Sequence, residues 1–303
     1  MVKKHFIVTC DTCADMPKSW YEKNDVPYII MRRILGGKEI NECFDKDSEF
    51  DAFYESIKKG DLPTTTQLNP FELKDFFEEI FKKYPDGDII HVALSSGLSA
   101  SYNNAVSASN EVNKTLGGKR KVHIVDSLMG TLGIGAQVEE LARVRDEGMT
   151  TESALKHIAN FRTHQQGWVI MSDLFHLKRG GRISAAKAAI GSVLNIRPII
   201  HISAKGKLAI ENKMKGNIKA VKYLVSRMEK YGEKHVGGDF SKSTVWVVRT
   251  SKSDLVDLTV ASIRAVYPEV KIRHGIVGPI IGTHLGNGGV AVLWNGAPRL
   301  DID

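Results

Sequence analysis

Residues 88–147 read DIIHVALSSGLSASYNNAVSASNEVNKTLGGKRKVHIVDSLMGTLGIGAQVEELARVRDE, and this stretch decides the fold class. Asp88 to Leu94 is an apolar run of strand length, and Ser99 to Thr115 follows with helical spacing. Lys121 to Val125 repeats the strand pattern and Leu128 to Glu147 the helical one. Strands alternating with helices predict βαβ units around a largely parallel sheet, because parallel neighbours need a crossover connection.

Working outward, His5 to Cys10 is predicted as a buried strand, followed by a helix near Pro17 to Asn24. Val26 to Leu35 reads as extended, and Gly36-Gly37 supplies a turn able to close a hairpin. Helical signals return at Asp47. Asn69-Pro70-Phe71-Glu72 combines a cap residue, a proline at the first helical position and an acid in the first turn, so its helix is predicted to reach about Tyr84. Beyond a capped helix from Thr151 to Thr163 the texture changes. A strand at Trp168 to Met171 leads to a hairpin of Arg197 to Ser203 and Lys207 to Lys213, turned by Ala204-Lys205-Gly206. A helix from Asn217 to Tyr231, a strand at Thr244 to Arg249, a helix from Ser253 to Tyr267 and a strand at Lys271 to Ile276 complete the pattern. Gly232 to Lys242 is the expected loop insert.

These elements predict an α/β fold of two domains. Residues 1–165 form an N-terminal α/β/α domain with a mainly parallel sheet, and residues 166–303 form a C-terminal α/β domain with a mixed sheet, the ligand lying in the cleft between them. A length of 303 residues agrees with two cores rather than one. With 42% hydrophobic and 25% charged residues, the composition excludes disordered and fibrous classes. The opening MVKKHFIVTC lacks a secretory apolar core, since Asp11 and Asp15 follow directly, and later apolar runs are too short to span a membrane. A cytoplasmic protein is expected. Its three cysteines, Cys10, Cys13 and Cys43, do not make a disulfide framework.

The formal charge of +7 raises nucleic acid as a partner, but Lys58-Lys59, Lys82-Lys83 and Lys119-Arg120-Lys121 are short and scattered at helix ends or loops. Nucleic acid is therefore not expected. A richer run, Lys205, Lys207, Lys213, Lys215, Lys219 and Lys222, is a candidate docking surface.

Cys10 and Cys13 have the CxxC spacing of a redox dithiol, yet Asp11 between them would raise a thiol pKa, so buried or loop thiols are the favoured reading. No second Cys or His pair has metal-binding spacing. The stretch from Leu94 to Tyr102 joins a strand to a helix with hydroxyls and Gly97, a turn that exposes N–H groups to an anion. Thr64-Thr65-Thr66-Gln67 precedes another helix in the same way. Gly278 to Gly289 surrounds His284 with glycines, which let backbone approach a ligand closely. Lys178-Arg179-Gly180-Gly181-Arg182-Ile183-Ser184 again couples glycine with arginine before a helix predicted after Ser184. Walker-type and GxSxG motifs are absent. Serine hydrolysis would require Ser99 or Ser96 to meet His284 and an acid such as Asp126.

In this order the segments resemble the DegV family of fatty-acid-binding proteins, which includes subunits that present fatty acids to a bacterial fatty acid kinase. Asp11-Thr12-Cys13-Ala14-Asp15-Met16-Pro17 is similar to the family's opening Asp-Ser-Thr-Ala-Asp-Leu-Pro, which puts Cys13 at a threonine position. Thr65-Thr66-Gln67-Leu68, Ser95 to Tyr102, Val125-Asp126-Ser127, Leu177 to Ile183, Leu194 to Ile199 and Gly278 to Gly288 match further family blocks. The resemblance implies that Thr65, Ser99 and His284 hold an acyl carboxylate, supported by Thr66, Ser96, Gly97, Arg182 and Gly282. It implies a lipid-binding protein rather than an enzyme, with a long-chain fatty acid as its ligand and no cofactor or metal. It also implies presentation to a separate ATP-binding kinase subunit, with Lys215 at a docking position where kinase-partnered members carry arginine. Other departures are Thr66 for serine, Leu68 for proline and Ala100 for glycine. The alternative from another class is an acyl hydrolase using Ser99 and His284. Physical chemistry agrees with the carrier, because a buried carboxylate needs several donors. An apolar tunnel would add about 0.8 kcal/mol for each methylene of the tail.

Overall fold

A computed structural model of the protein describes residues 3–41, 44–184, 195–233, 240 and 243–299. The chain divides into two units, residues 1–45 with 65–162 and residues 46–64 with 163–303. It leaves the first unit at 46, returns at 65 and leaves again at 163.

The first unit starts with β1 (Phe6–Asp11), buried along its whole length as a strand covered on both faces must be, and α1 (Lys18–Lys23). β2 (Tyr28–Ile29) follows, then β3 (Arg32–Leu35) and β4 (Lys38–Asn41), an antiparallel hairpin turned by Gly36 and Gly37 at φ 58° and 75°. α2 (Asp47–Lys58) belongs to the second unit, and β5 (Thr64–Thr65) marks the return. α3 (Pro70–Lys83) has a reciprocal capping box: Asn69 accepts from the Glu72 amide, and Glu72 accepts from the Asn69 amide. β6 (Asp88–Ala93), α4 (Ser101–Thr115), β7 (Val122–Asp126), α5 (Leu132–Asp146) and α6 (Thr151–Thr163) complete the anticipated alternation. The main sheet is parallel throughout, in the order β2-β1-β6-β7.

Two helices start later than their sequence suggests. α4 begins at Ser101 rather than Ser99, because the carbonyl of Ser95 takes the amides of Leu98 and Ser99 in a separate turn. α5 begins at Leu132 rather than Leu128, since Leu128 and Thr131 hold φ of 53° and 50°, outside the helical region.

The second unit is built on β8 (Gln165–Ile170), α7 (Phe175–Arg179), β9 (Ile196–Ile202), β10 (Leu208–Lys215) and α8 (Asn217–Met228). β11 (Thr244–Arg249), α9 (Asp254–Val266), β12 (Lys271–Ile276), α10 (Pro279–Leu285) and β13 (Val290–Asn295) follow. Its sheet is mixed, in the order β10-β9-β8-β13-β11-β12, with only β11 and β12 parallel among its paired strands. β13 is thus an interior strand the sequence reading missed. Buried on both faces except at Asn295, it shows no polar alternation. α8 and α9 cover the sheet with Leu224, Met228, Leu255 and Ile263 against Ile170, Val245 and Val292. Gly232 to Lys242, the helix expected after Ser184, and Cys43 lie largely or wholly outside the described residues. Among the described residues no helix is long and apolar enough to cross a membrane.

The core of the first unit holds a polar side-chain pair on adjacent strands. Thr9 on β1 and His91 on β6 are register partners, joined at 3.0 Å between Oγ1 and Nδ1, and the imidazole lies edge-on to Phe76 and Phe77. Burial lowers the His91 pKa to about 3, so the folded ring stays neutral where an unfolded histidine protonates near 6.5. The contribution of neutral His91 to stability is fully present above about 6.5 and declines as the pH falls toward 3. In a thermal melt followed by circular dichroism, Tm is expected to drop between pH 6.5 and 5. The paired substitution Thr9→Val with His91→Phe should reduce that slope by up to one proton, about 1.4 kcal/mol per pH unit. An unchanged slope would show that His91 is not buried neutral.

Candidate functional site

Ligands of open parallel sheets lie where neighbouring strands send their crossovers in opposite directions, beyond the carboxyl ends of the strands. In the order β2-β1-β6-β7 that point falls between β1 and β6. The loops leaving those two strands carry Asp11 to Asp15 and Leu94 to Ala100. Asp11, wholly buried, fastens them together: its carboxylate accepts the Cys13 amide at 2.9 Å and the Leu94 amide at 2.8 Å. Burial raises the Asp11 pKa, and the two amides oppose that rise. Cys10 and Cys13 are buried and form no disulfide, and the Cys13 thiol donates to Met31 Sδ at 3.2 Å. Burial first, then Asp11 and Asp15, push the Cys13 pKa well up, which is the opposite of a reactive dithiol.

The serine loop differs from expectation in one respect. Its amides are engaged internally: Ser96 donates to Asp126 Oδ1, Gly97 to Ser95 Oγ, and Leu98 and Ser99 to the Ser95 carbonyl. Ser96 and Gly97 therefore shape the turn through their amides. Ser99 Oγ lies 3.0 Å from Ser101 Oγ and accepts the Ser101 amide. Ser101 Oγ in turn accepts the amide of Leu68, while Asn104 donates to the Leu68 carbonyl at 2.7 Å. The Thr66 amide donates to the Arg32 carbonyl of β3. The start of α4 thus draws the threonine segment and the serine loop to one place, with Thr65, Thr66 and Ser99 partly exposed. Ser99 Oγ is bonded to a hydroxyl rather than to an imidazole, and Asp126 Oδ1 serves the amides of Ser96 and Leu128.

In the second unit His284 lies on α10, against the C-terminal end of α7. A Cβ at Gly180 would collide with the His284 ring, and one at Gly286, where φ is 73°, with that of His176. Only glycine admits the two imidazoles to this packing. Gly282 permits a similar approach by α2, since a Cβ there would lie 2.5 Å from Tyr54 Oη. Tyr54 is pinned by donating to the Val277 carbonyl at 2.8 Å. Arg182 Nη1 donates to the Gly180 carbonyl and Arg179 Nη2 to the Pro63 carbonyl at 2.7 Å, which holds both guanidinium groups in the neighbourhood. Burial, then Arg182, Arg179 and His176, lower the His284 pKa to about 4. His284 is accordingly a neutral donor near cations. Arg179 and His176 were not singled out as site residues in the sequence; the signal for Arg179 was its spacing to Arg182 across Gly180-Gly181, and His176 had none.

Lys213, Lys215, Lys219 and Lys222 are exposed about the end of β10 and the start of α8, with Ile218 62% exposed among them. Lys205 and Lys207 are exposed at the hairpin turn.

Comparison with known proteins agrees with this architecture. The family model described as "Uncharacterised protein, DegV family" matches residues 5–296. A DegV domain-containing protein of Clostridium perfringens is 30% identical over 293 residues, covering 97% of this chain and 98% of the relative. Among solved structures, a DegV lipid-binding protein of Thermotoga maritima superposes with a TM-score of 0.80 at 27% identity, covering 97% of this chain and 99% of that one. DegV of Bacillus subtilis, described as a fatty acid binding protein, superposes with a TM-score of 0.81 at 27% identity, covering 97% and 100%.

The electrostatics of His284 are directly testable. Its ring protons, followed by NMR in ligand-free protein, are expected to titrate near pH 4, and Arg182→Ala should move that titration upward. A midpoint near 6.5 in the unsubstituted protein would contradict the partial burial of His284 among these cations.

Proposed function

Because the chain belongs to the DegV family, we propose that it binds a long-chain fatty acid, with Thr65, Ser99 and His284 donating to the carboxylate and an apolar tunnel holding the tail. The observation carrying this reading is the convergence of the threonine segment and the serine loop at Ser101. A hydroxyl can reverse its role, so Ser101 can donate to Ser99 and release the Ser99 proton toward a ligand oxygen. Thr66, Ser96 and Gly97 support the turns, Gly282 supports α10, and Arg182 adds positive potential beside a neutral His284. Similarity to a fatty acid binding protein of Bacillus subtilis at 27% identity supports the same reading.

In this reading the protein is a carrier in the cytoplasm, where the thiols of Cys10 and Cys13 stay reduced. It presents the carboxylate to a separate ATP-binding kinase subunit for conversion to an acyl phosphate. The exposed lysines around Lys215 are the proposed docking surface, which would steer an acidic partner.

Mass spectrometry of lipid extracted from purified protein is expected to find a long-chain fatty acid at about one per chain, as a single carboxylate site requires. Stripped protein that binds none at micromolar concentration would refute the carrier function, and turnover of an ester would replace it with hydrolysis. Thr65→Ala, Ser99→Ala and His284→Ala should each weaken binding by about 1 to 3 kcal/mol without unfolding the chain. For the partner, Lys215→Glu should abolish acyl phosphate formation with a cognate kinase and leave fatty acid affinity unaltered. Equal activity of the two proteins would exclude docking at Lys215.

A further inference from the structure

α5 opens at the same edge of the parallel sheet as the serine loop. The connection before it is laced to that loop, since the Ser95 amide donates to the Met129 carbonyl and the Ser127 amide to the Ala93 carbonyl. Gln137 donates to the Ser127 carbonyl at 2.8 Å, which closes the turn from the helix side. The helix runs from Leu132 to Asp146, and its N-cap residue is Thr131.

This helix end is buried and uncapped. Thr131 is 6% exposed and Leu132 3% exposed, the Thr131 side chain makes no capping bond, and the first turn carries no acid. Inside the turn, Gly133 donates to Gly130, and Ile134 and Gly135 donate to Thr131. The amides of Thr131 and Leu132 find no acceptor among the described residues, and neither does Thr131 Oγ1. Buried donors are ordinarily paired, and a buried helix start without partners is suited to an oxygen acceptor drawn by the positive end of the helix. The donors are held by an uncommon conformation: Thr131 has φ 50° and ψ −143°, a region nearly reserved for glycine. Nearby acids do not occupy the position. Asp126 Oδ1 accepts the amides of Ser96 and Leu128, and the Asp11 carboxylate accepts those of Cys13 and Leu94.

We propose that Thr131 Oγ1 and the amides of Thr131 and Leu132 form a second oxyanion-binding point at the start of α5, taking a carboxylate or phosphoryl oxygen. It deepens the fatty acid reading if the oxygen belongs to the lipid, and stands apart from that reading if it belongs to a free anion.

The two sources are separated by titrating delipidated protein calorimetrically with palmitate in one arm and with inorganic phosphate in the other. Thr131→Val keeps the branched shape and removes the hydroxyl, Thr131→Gly removes both hydroxyl and strain, and Thr131→Ser restores the hydroxyl. The expected result is a loss of about five-fold or more in affinity for one probe with Val and Gly, and near-complete recovery with Ser, the scale of one hydrogen bond to a charged acceptor. Tm of the ligand-free Val and Gly variants should equal or exceed that of the unsubstituted protein, because a buried unpaired hydroxyl or a strained residue has been removed. A structural role for Thr131 would instead lower Tm. A response in the palmitate arm assigns the point to the lipid. A response in the phosphate arm assigns it to a free anion, and holds even if palmitate fails to bind. Unchanged affinity for both probes in the Val and Gly variants, or binding of neither probe by the unsubstituted protein, overturns the proposal.

Discussion

The carboxylate of Asp11, buried at the end of β1, accepts an amide from its own loop and another from the loop after β6. With both oxygens taken by backbone, the two loops diverge from one fixed point, and the polar edge of the first unit follows from it. Leu94 is held, so Ser95 can bind Gly97, Leu98 and Ser99 into a turn, and Ser99 meets Ser101. Ser101 in turn carries the Leu68 amide, which brings in the threonine segment. Burying such a carboxylate is costly unless it is bonded in this way, and the arrangement converts a local penalty into a rigid junction between distant parts of the chain.

The second unit uses close approach rather than charge to position its chemistry. Gly180, Gly282 and Gly286 each stand where a Cβ would strike a ring, so α7, α10 and α2 meet at backbone distance. That proximity partly buries His284 and places it among Arg179, Arg182 and His176, which is why its pKa lies well below the usual histidine range. A neutral imidazole donates without carrying a charge into a buried setting, while the guanidinium groups supply the field.

The two units therefore present hydrogen-bond donors and positive potential, while the Cys13 thiol is held well above its usual pKa and Ser99 is bonded to a hydroxyl. Such chemistry suits recognition of an acid. The unpaired donors at the start of α5 extend that character deeper into the first unit.

Much of this was legible in the sequence alone. The alternation over 88–147 determined the parallel βαβ order, Asn69-Pro70 and Glu72 determined the start of α3, and Gly36-Gly37 determined the first hairpin, because each depends on residues near in the chain. The hydroxyl- and glycine-rich segments around Thr65, Ser99 and His284 suggested anion binding, which the family resemblance narrowed to an acyl carboxylate as an expectation. What the sequence did not reveal depends on contacts between distant residues. β13 became an interior strand only when β8 and β11 flanked it, and α2 joined the second unit through Tyr54 and Val277. The amides of Ser96 to Ser99 looked free in sequence and were taken by Ser95 and Asp126, whereas those of Thr131 and Leu132 were left open. A residue type states what a group can donate; only the folded chain decides which donors are already satisfied, because an acceptor from a separate part of the chain must come within about 3 Å.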